Sequence, residues 1–315
     1  MKYSVISSFL SRTKDRFHEY NTLLSLEEKF AMASKIKGIS AMECVYPYEV
    51  NSPEDTLALM KKYKIDISAV NVNIKAEPEF RMGGITSPDK KVRDRAISFI
   101  KEGKDFAEAI GVKQITVCPL GDGYEFAFQS DYEKCWQYLK EAFGAAASYK
   151  PEITTFIEFK PSETRGTCFL PDAAKTVLLI EQIGKPGLGV TLDVGHVLYG
   201  GKNPAEELAL LQSCYIPYYI HMNDNDGKWD WDYFTGSKHI LEYLEFVYYL
   251  KKFNYQGYIV SDTSPTRTGI ISTFEANNRV TDKFCEICER LDIEKYRYTG
   301  DYMDLWKHIE SELFK

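Results

Sequence analysis

The sequence lacks a basic run, a long apolar stretch and a paired cysteine framework, and each absence removes a class of function. Its 39 Lys and Arg against 46 Asp and Glu leave a net charge of −7. With no basic arm there is no electrostatic footprint for nucleic acid or anionic lipid. No window approaches the roughly 18 consecutive apolar residues of a membrane span, and MKYSVISSFL has no basic segment ahead of a long apolar core. The cysteines (Cys44, Cys118, Cys135, Cys168, Cys214, Cys285 and Cys288) are odd in number and scattered through apolar segments, which fits a reducing compartment rather than disulfides. Cys285 and Cys288 form a CxxC pair, but inside a helical pattern with no second CxxC they read as core packing. The expectation is a cytoplasmic protein with a small-molecule partner and neither nucleic acid nor membrane.

What is present is a regular alternation. Runs rich in Val, Ile, Thr and Tyr predict strands over Tyr3 to Ser7, Ile39 to Val45, Ile67 to Ile74, Gln114 to Cys118, Thr154 to Phe159, Gly189 to Asp193, Tyr218 to Met222 and Tyr258 to Asp262. Segments with helical spacing separate them: Ser25 to Lys35, Glu54 to Tyr63, Val92 to Ile110, Tyr132 to Ser148, Asp172 to Ile183, Ala205 to Cys214, Lys238 to Phe253 and Thr273 to Leu291. Ser25 with Glu28 makes a capping box, Ser52-Pro53 and Asn203-Pro204 are helix starts, and Gly111, Gly184 and Gly257 mark helix ends. Such alternation predicts an α/β fold, a parallel (β/α)8 TIM barrel over residues 1–295. Residues 296–315 would form a C-terminal helical extension. Its helix, Tyr302 to Phe314, either covers the barrel wall or reaches a neighbouring subunit, leaving a homodimer or homotetramer open.

Barrel chemistry gathers at the carboxyl ends of the strands. Glu158, Asp193, His221 and Asp262 end strands five to eight. Carboxylates converging there would repel one another, whereas a divalent cation neutralises them and accepts O and N ligands. His196, three residues after Asp193, would aim at a neighbouring ion. Asp230 and Asp232 flank Trp231, and an extended Asp-x-Asp places both carboxylates on one side; with Asp193 and His196 they would complete a second metal position. The alternative is that DNDGKWDWD is a polar loop. Lys160, two residues beyond Glu158, would share its barrel-facing side and bind a substrate oxygen, the alternative being an ion pair with Glu163 or Glu158.

Together, IEFKPSETRG, DVGH, HMNDND with KWDWD, and SDTSPTRT resemble the divalent-metal sugar isomerases of the xylose isomerase-like TIM-barrel superfamily, and the Asp193/His196/His221 arrangement is most similar to the L-rhamnose isomerase branch. The resemblance implies a first metal on Glu158, Asp193, His221 and Asp262, a second on Asp193, His196, Asp230 and Asp232, and Lys160 at the substrate oxygen. Xylose isomerases carry a ring-opening His at the end of strand two, where this chain reads MECVYPY, so Glu43 or Tyr46 would have to serve. Ketose 3-epimerases use two opposed glutamates, and Asp262 stands at the second position. Endonucleases of the superfamily carry more His and a basic groove, neither of which is evident.

The expected activity is therefore interconversion of an aldose and a ketose, a free pentose, hexose or deoxyhexose, by hydride shift between C1 and C2, with Asp230 or Asp232 managing the proton. Mn²⁺ suits this donor set best, with Mg²⁺, Co²⁺ and Zn²⁺ compatible. The alternative is a ketose 3-epimerase or proton-transfer lyase using one metal and Glu158 as base. Asn71, Asn223 and Arg267 are candidates for sugar hydroxyls, and Tyr124 and Trp229 for the C–H faces of the sugar.

Overall fold

Each predicted strand forms, and in the computed structural model, which describes residues 1–163, 165–298 and 300–315, they close into one parallel barrel. The strands are β1 (Lys2–Ile6), β2 (Ile39–Tyr46), β3 (Asp66–Val72), β4 (Gln114–Val117), β5 (Thr154–Glu158), β6 (Leu188–Asp193), β7 (Tyr218–Met222) and β8 (Tyr258–Ser261). Each pairs with its neighbours in chain order and β8 closes on β1. Helices alternate with the strands, so the fold is a (β/α)8 barrel as expected.

Two-residue alternation sorts the side chains. Ile6, Ala69, Phe156, Tyr219 and Val260 pack together as one buried cluster inside the barrel, while the larger core lies between strands and helices. Stepping two residues toward the carboxyl end from Ala69, Phe156, Tyr219 and Val260 reaches Asn71, Glu158, His221 and Asp262, on the same inward face. The apolar layer thus forms the floor of a polar layer.

Local punctuation largely follows the sequence. The Ser25–Glu28 capping box is formed, Ser52 and Asn203 cap helices that begin with proline, and Gly111 and Gly184 take left-handed φ of 78° and 62°. Gly257 does not: the left-handed residue after helix Ile240–Lys252 is Asn254, φ 54°, whose short polar side chain tolerates that region. Both members of the CxxC pair are free thiols, and burial raises both of their pKa values, as core packing requires. Among the described residues no helix is long and apolar enough to cross a membrane.

Lys104, fully buried on helix Lys90–Ala109, donates from Nζ to the carbonyl oxygens of Ala146 (2.6 Å), Tyr149 (2.9 Å) and Lys150 (3.4 Å). It therefore satisfies the end of helix Tyr132–Ser148, whose last carbonyls lack intrahelical donors. Lys104→Met is expected to lower stability by about 1–3 kcal/mol, read as a shift in the urea midpoint, because those carbonyls would be buried without a donor.

The final helix, Tyr302–Leu313, lies against the barrel's outer helices. Ile309 and Leu313 pack on the core, Glu312 accepts from Arg290 Nε at 2.8 Å, and His308 stacks on Tyr296 with ring centroids 4.7 Å apart.

Candidate metal centre

The polar layer at the carboxyl rim is built by register. Asp193 at the end of β6 lies opposite His221 on β7, and Glu158 on β5 lies opposite Thr191, two residues before Asp193. The backbone N–H of Asp262 donates to Met222 O at 3.1 Å, carrying β8's pairing one residue past its end. Consequently Glu158, Asp193, His221 and Asp262 each bring one donor atom within 4.8 Å of the others, and so do Asp193, His196 and Asp230. Asp193 belongs to both groups.

Both imidazoles are oriented by acceptors behind them. His221 Nε2 lies 3.0 Å from Glu43 Oε2, so Nε2 donates and Nδ1 faces Glu158 Oε1 (3.4 Å), Asp262 Oδ2 (3.4 Å) and Asp193 Oδ2 (4.0 Å). That Nδ1 is buried and has no hydrogen-bond partner among the described residues. His196 Nδ1 donates to Phe159 O at 2.8 Å, which leaves Nε2 toward Asp230 Oδ2 at 3.1 Å. A histidine held by its far nitrogen with its near nitrogen aimed into carboxylates is the arrangement of a metal ligand. The orphaned Nδ1 and the surrounding oxygens fit a divalent cation.

The loop after β7 delivers Asp230. Asp224 and Tyr233 exchange backbone hydrogen bonds (2.9 and 2.7 Å), while Asp224's carboxylate accepts from Lys238 N, His239 N and His239 Nδ1. The segment between them is thereby folded back over the rim. Asp193 holds the loop after β6 as well, its Oδ1 accepting from His196 N at 2.8 Å as cap of helix Val194–Tyr199. Gly195 in that turn has no room for a side chain: a Cβ would stand 1.7 Å from Asn223 Oδ1.

Several expected residues are placed otherwise. Asp232 is half-buried beside the cluster, but it has φ 51° rather than extended backbone and lies outside both ligand groups. Asn223 is committed to the carboxylates, its Nδ2 donating to Asp193 Oδ2 (3.1 Å) and Asp232 Oδ1 (3.4 Å). Asn71 likewise donates to Glu43 Oε1 at 2.8 Å. Lys160 makes the ion pair weighed as its alternative, to Glu163, and a second to Asp230 at 2.9 Å. Tyr46 packs on Phe106 with its hydroxyl toward Glu102, and Arg267 is exposed beside Tyr20. Trp229 meets Tyr199 edge-on, and Tyr124 lines a cavity of about 830 Å³ whose lining includes Glu163, the ion-pair partner of Lys160.

Charges inside the cluster sort by neighbour. Burial pushes Asp193 up to about 7, helped by Asp262, Asp230 and Glu158, and it raises Asp232 and Asp262 as well. Burial also opposes ionised Glu158, yet His221, His196 and Lys75 hold it at about 2. Against its own burial, His196 is raised to about 9 by Asp193 and Asp230, and His221 is raised by Glu43 and Glu158. Protonated imidazoles thus supply the positive charge these carboxylates require when no cation is present.

Glu43 is the participant whose role the sequence conceals. Mid-strand on β2 and fully buried, it accepts from Thr116 Oγ1 and Asn71 Nδ2, both at 2.8 Å, as well as from His221. It positions His221 rather than reaching substrate. Glu43→Leu is expected to weaken Mn²⁺ binding about 10–100-fold by calorimetry; unchanged affinity would remove Glu43 from the site.

A family model described as xylose isomerase-like TIM barrel matches residues 30–279. A xylose isomerase from Thermus thermophilus is 24% identical over 229 residues, 69% of this chain and 59% of that enzyme, so the chain spans about three-fifths of the relative's length. A D-tagatose 3-epimerase-like protein shares the fold with a TM-score of 0.69 at 21% identity, over 92% of this chain and 98% of its own. The IOLI protein, with a bound zinc atom, does so with a TM-score of 0.66 at 16% identity, over 90% and 98%.

Proposed function

The chain belongs to the xylose isomerase-like TIM barrel family, and from that premise we propose that it is a divalent-metal-dependent sugar isomerase interconverting an aldose and a ketose by hydride shift. The observation that carries this reading is the pair of ligand groups sharing Asp193, with Lys160 tied to the second through Asp230. Glu158, Asp193, His221 and Asp262 would hold one cation, and Asp193, His196 and Asp230 the other, with Asp232 close behind. Bound there, divalent cations supply electrophilic polarisation of the carbonyl and of the neighbouring hydroxyl of an open-chain sugar. Mn²⁺, Mg²⁺, Co²⁺ and Zn²⁺ all suit the N/O donor set, Mn²⁺ best.

The remaining work falls to side chains. Lys160, held protonated by Asp230 and Glu163 despite its burial, presents a fixed positive charge to an oxygen that gains negative charge. Asp230, with Oδ1 buried and unpartnered among the described residues, is placed to accept a hydrogen bond from a substrate hydroxyl, and its low pKa beside His196 and Lys160 keeps it a carboxylate.

The epimerase reading has one feature in its favour: the four-residue group is a complete single-metal site without Asp230. The readings separate in D₂O. A screen of Mn²⁺-loaded protein against free aldoses and ketoses, followed by NMR, is expected to give product with no deuterium at the migrating position, and Asp230→Asn to cut kcat by about 10³-fold or more. Deuterium in the product together with an active Asp230→Asn would replace the isomerase by proton-transfer chemistry.

A further inference from the structure

The 830 Å³ cavity that Tyr124 lines has a charge pattern the metal site does not explain. It is formed by the loops that follow β3, β4 and β5, and its size is that of a small-molecule pocket. Its three acidic linings are all paired: Glu125 with Arg165 at 3.0 Å, Asp131 with Lys134 at 2.9 Å, and Glu163 with Lys160. Lys75 and Arg81, both exposed at its mouth, line it too, and neither side chain has a hydrogen-bond or ion-pair partner among the described residues. In a chain with net charge −7, two cations without an ion-pair partner at one hollow constitute a local field that draws anions.

Position adds to this. Lys75 follows β3 and is one of the charges acting on Glu158 and Cys118, so the hollow lies within electrostatic reach of the cluster. Glu163, through Lys160, connects the same hollow to Asp230. Uncharged sugar hydroxyls do not need two bare cations. A phosphate or carboxylate does, and an Arg with a Lys suits such a group.

We propose that Lys75 and Arg81 bind an anionic group, a phosphate or carboxylate, carried by the substrate. The proposal rests on the reading that the cluster handles a sugar, and it narrows the substrate from a free sugar to a sugar phosphate or sugar acid.

Calorimetry with D-ribulose 5-phosphate, D-glucuronate and D-ribulose, on protein in EDTA and on Mn²⁺-loaded protein, tests it. One of the charged sugars should bind at least about tenfold more tightly than D-ribulose in both states, and the winner identifies the anion. In Lys75→Gln/Arg81→Gln the advantage should shrink to about twofold or less, while Tm matches the wild type and reports an intact fold. Arg81→Lys should keep part of the preference. Equal binding of charged and uncharged sugars, or a preference that survives the double substitution, overturns the proposal. A preference lost on substitution, in a protein that isomerises no sugar, supports the anion site and tells against the isomerase reading instead.

Discussion

Asp193→Asn is expected to lower kcat by on the order of 10⁴-fold and to abolish tight Mn²⁺ binding, while leaving the fold in place. Asp193 is the one residue common to both ligand groups, so losing its charge damages both ion positions at once. Its second task survives the change, because asparagine caps a helix about as well as aspartate and can still accept from His196 N. In EDTA at pH 8 the variant should be at least as stable as the wild type, since it removes a buried carboxylate crowded by Asp262, Asp230 and Glu158. Calorimetry for the ion and thermal melts for the fold give the two readouts. Wild-type Mn²⁺ affinity in the variant would show that the cluster is not a metal centre.

Removing metal is expected to abolish activity and to cost stability by an amount that grows with pH. In the metal-free protein Asp193 is raised from 3.8 to about 7 and His196 from 6.5 to about 9. The folded state then binds more protons than the unfolded chain between pH 3.8 and 7 for Asp193, and between pH 6.5 and 9 for His196. Stability of the metal-free protein therefore falls as pH rises through those windows. Cation binding has the opposite slope, because it requires the carboxylate and the neutral imidazole and releases their protons. At Mn²⁺ about a thousandfold above its Kd the gain is about 4 kcal/mol, or a rise in Tm of about 5–10 °C. Melts with and without Mn²⁺ should diverge from pH 5 to pH 9; convergence over that range would contradict the placement of protons at the ion positions.

Much of this was legible in the chain itself, for identifiable reasons. Period-two alternation placed Glu158, His221 and Asp262 on one inward face, and each ends a β-prone run, so strand ends and chemistry coincide. Capping residues such as Ser25, Ser52 and Asn203 act within one turn and need no distant partner. Long-range effects were hidden. Glu43 is assigned by an imidazole 178 residues away, Asn223 and Asn71 are used by carboxylates instead of substrate, and the φ of Asp232 depends on how its loop closes. Lys75 gives no local signal, since only the fold brings its charge near Glu158.

That loop has a wider consequence. Glu158, Asp193 and His221 come from barrel strands, and Asp262 follows β8 directly, whereas Asp230 comes from a segment clasped at Asp224 and Tyr233. The four-residue group belongs to the frame of the molecule, whereas the three-residue group takes one donor, Asp230, from a detachable insert. A transplanted connection of different length between Asp224 and Tyr233 would leave a mononuclear centre on an undisturbed scaffold, giving related barrels a short route from one reaction to another by exchange of a single loop.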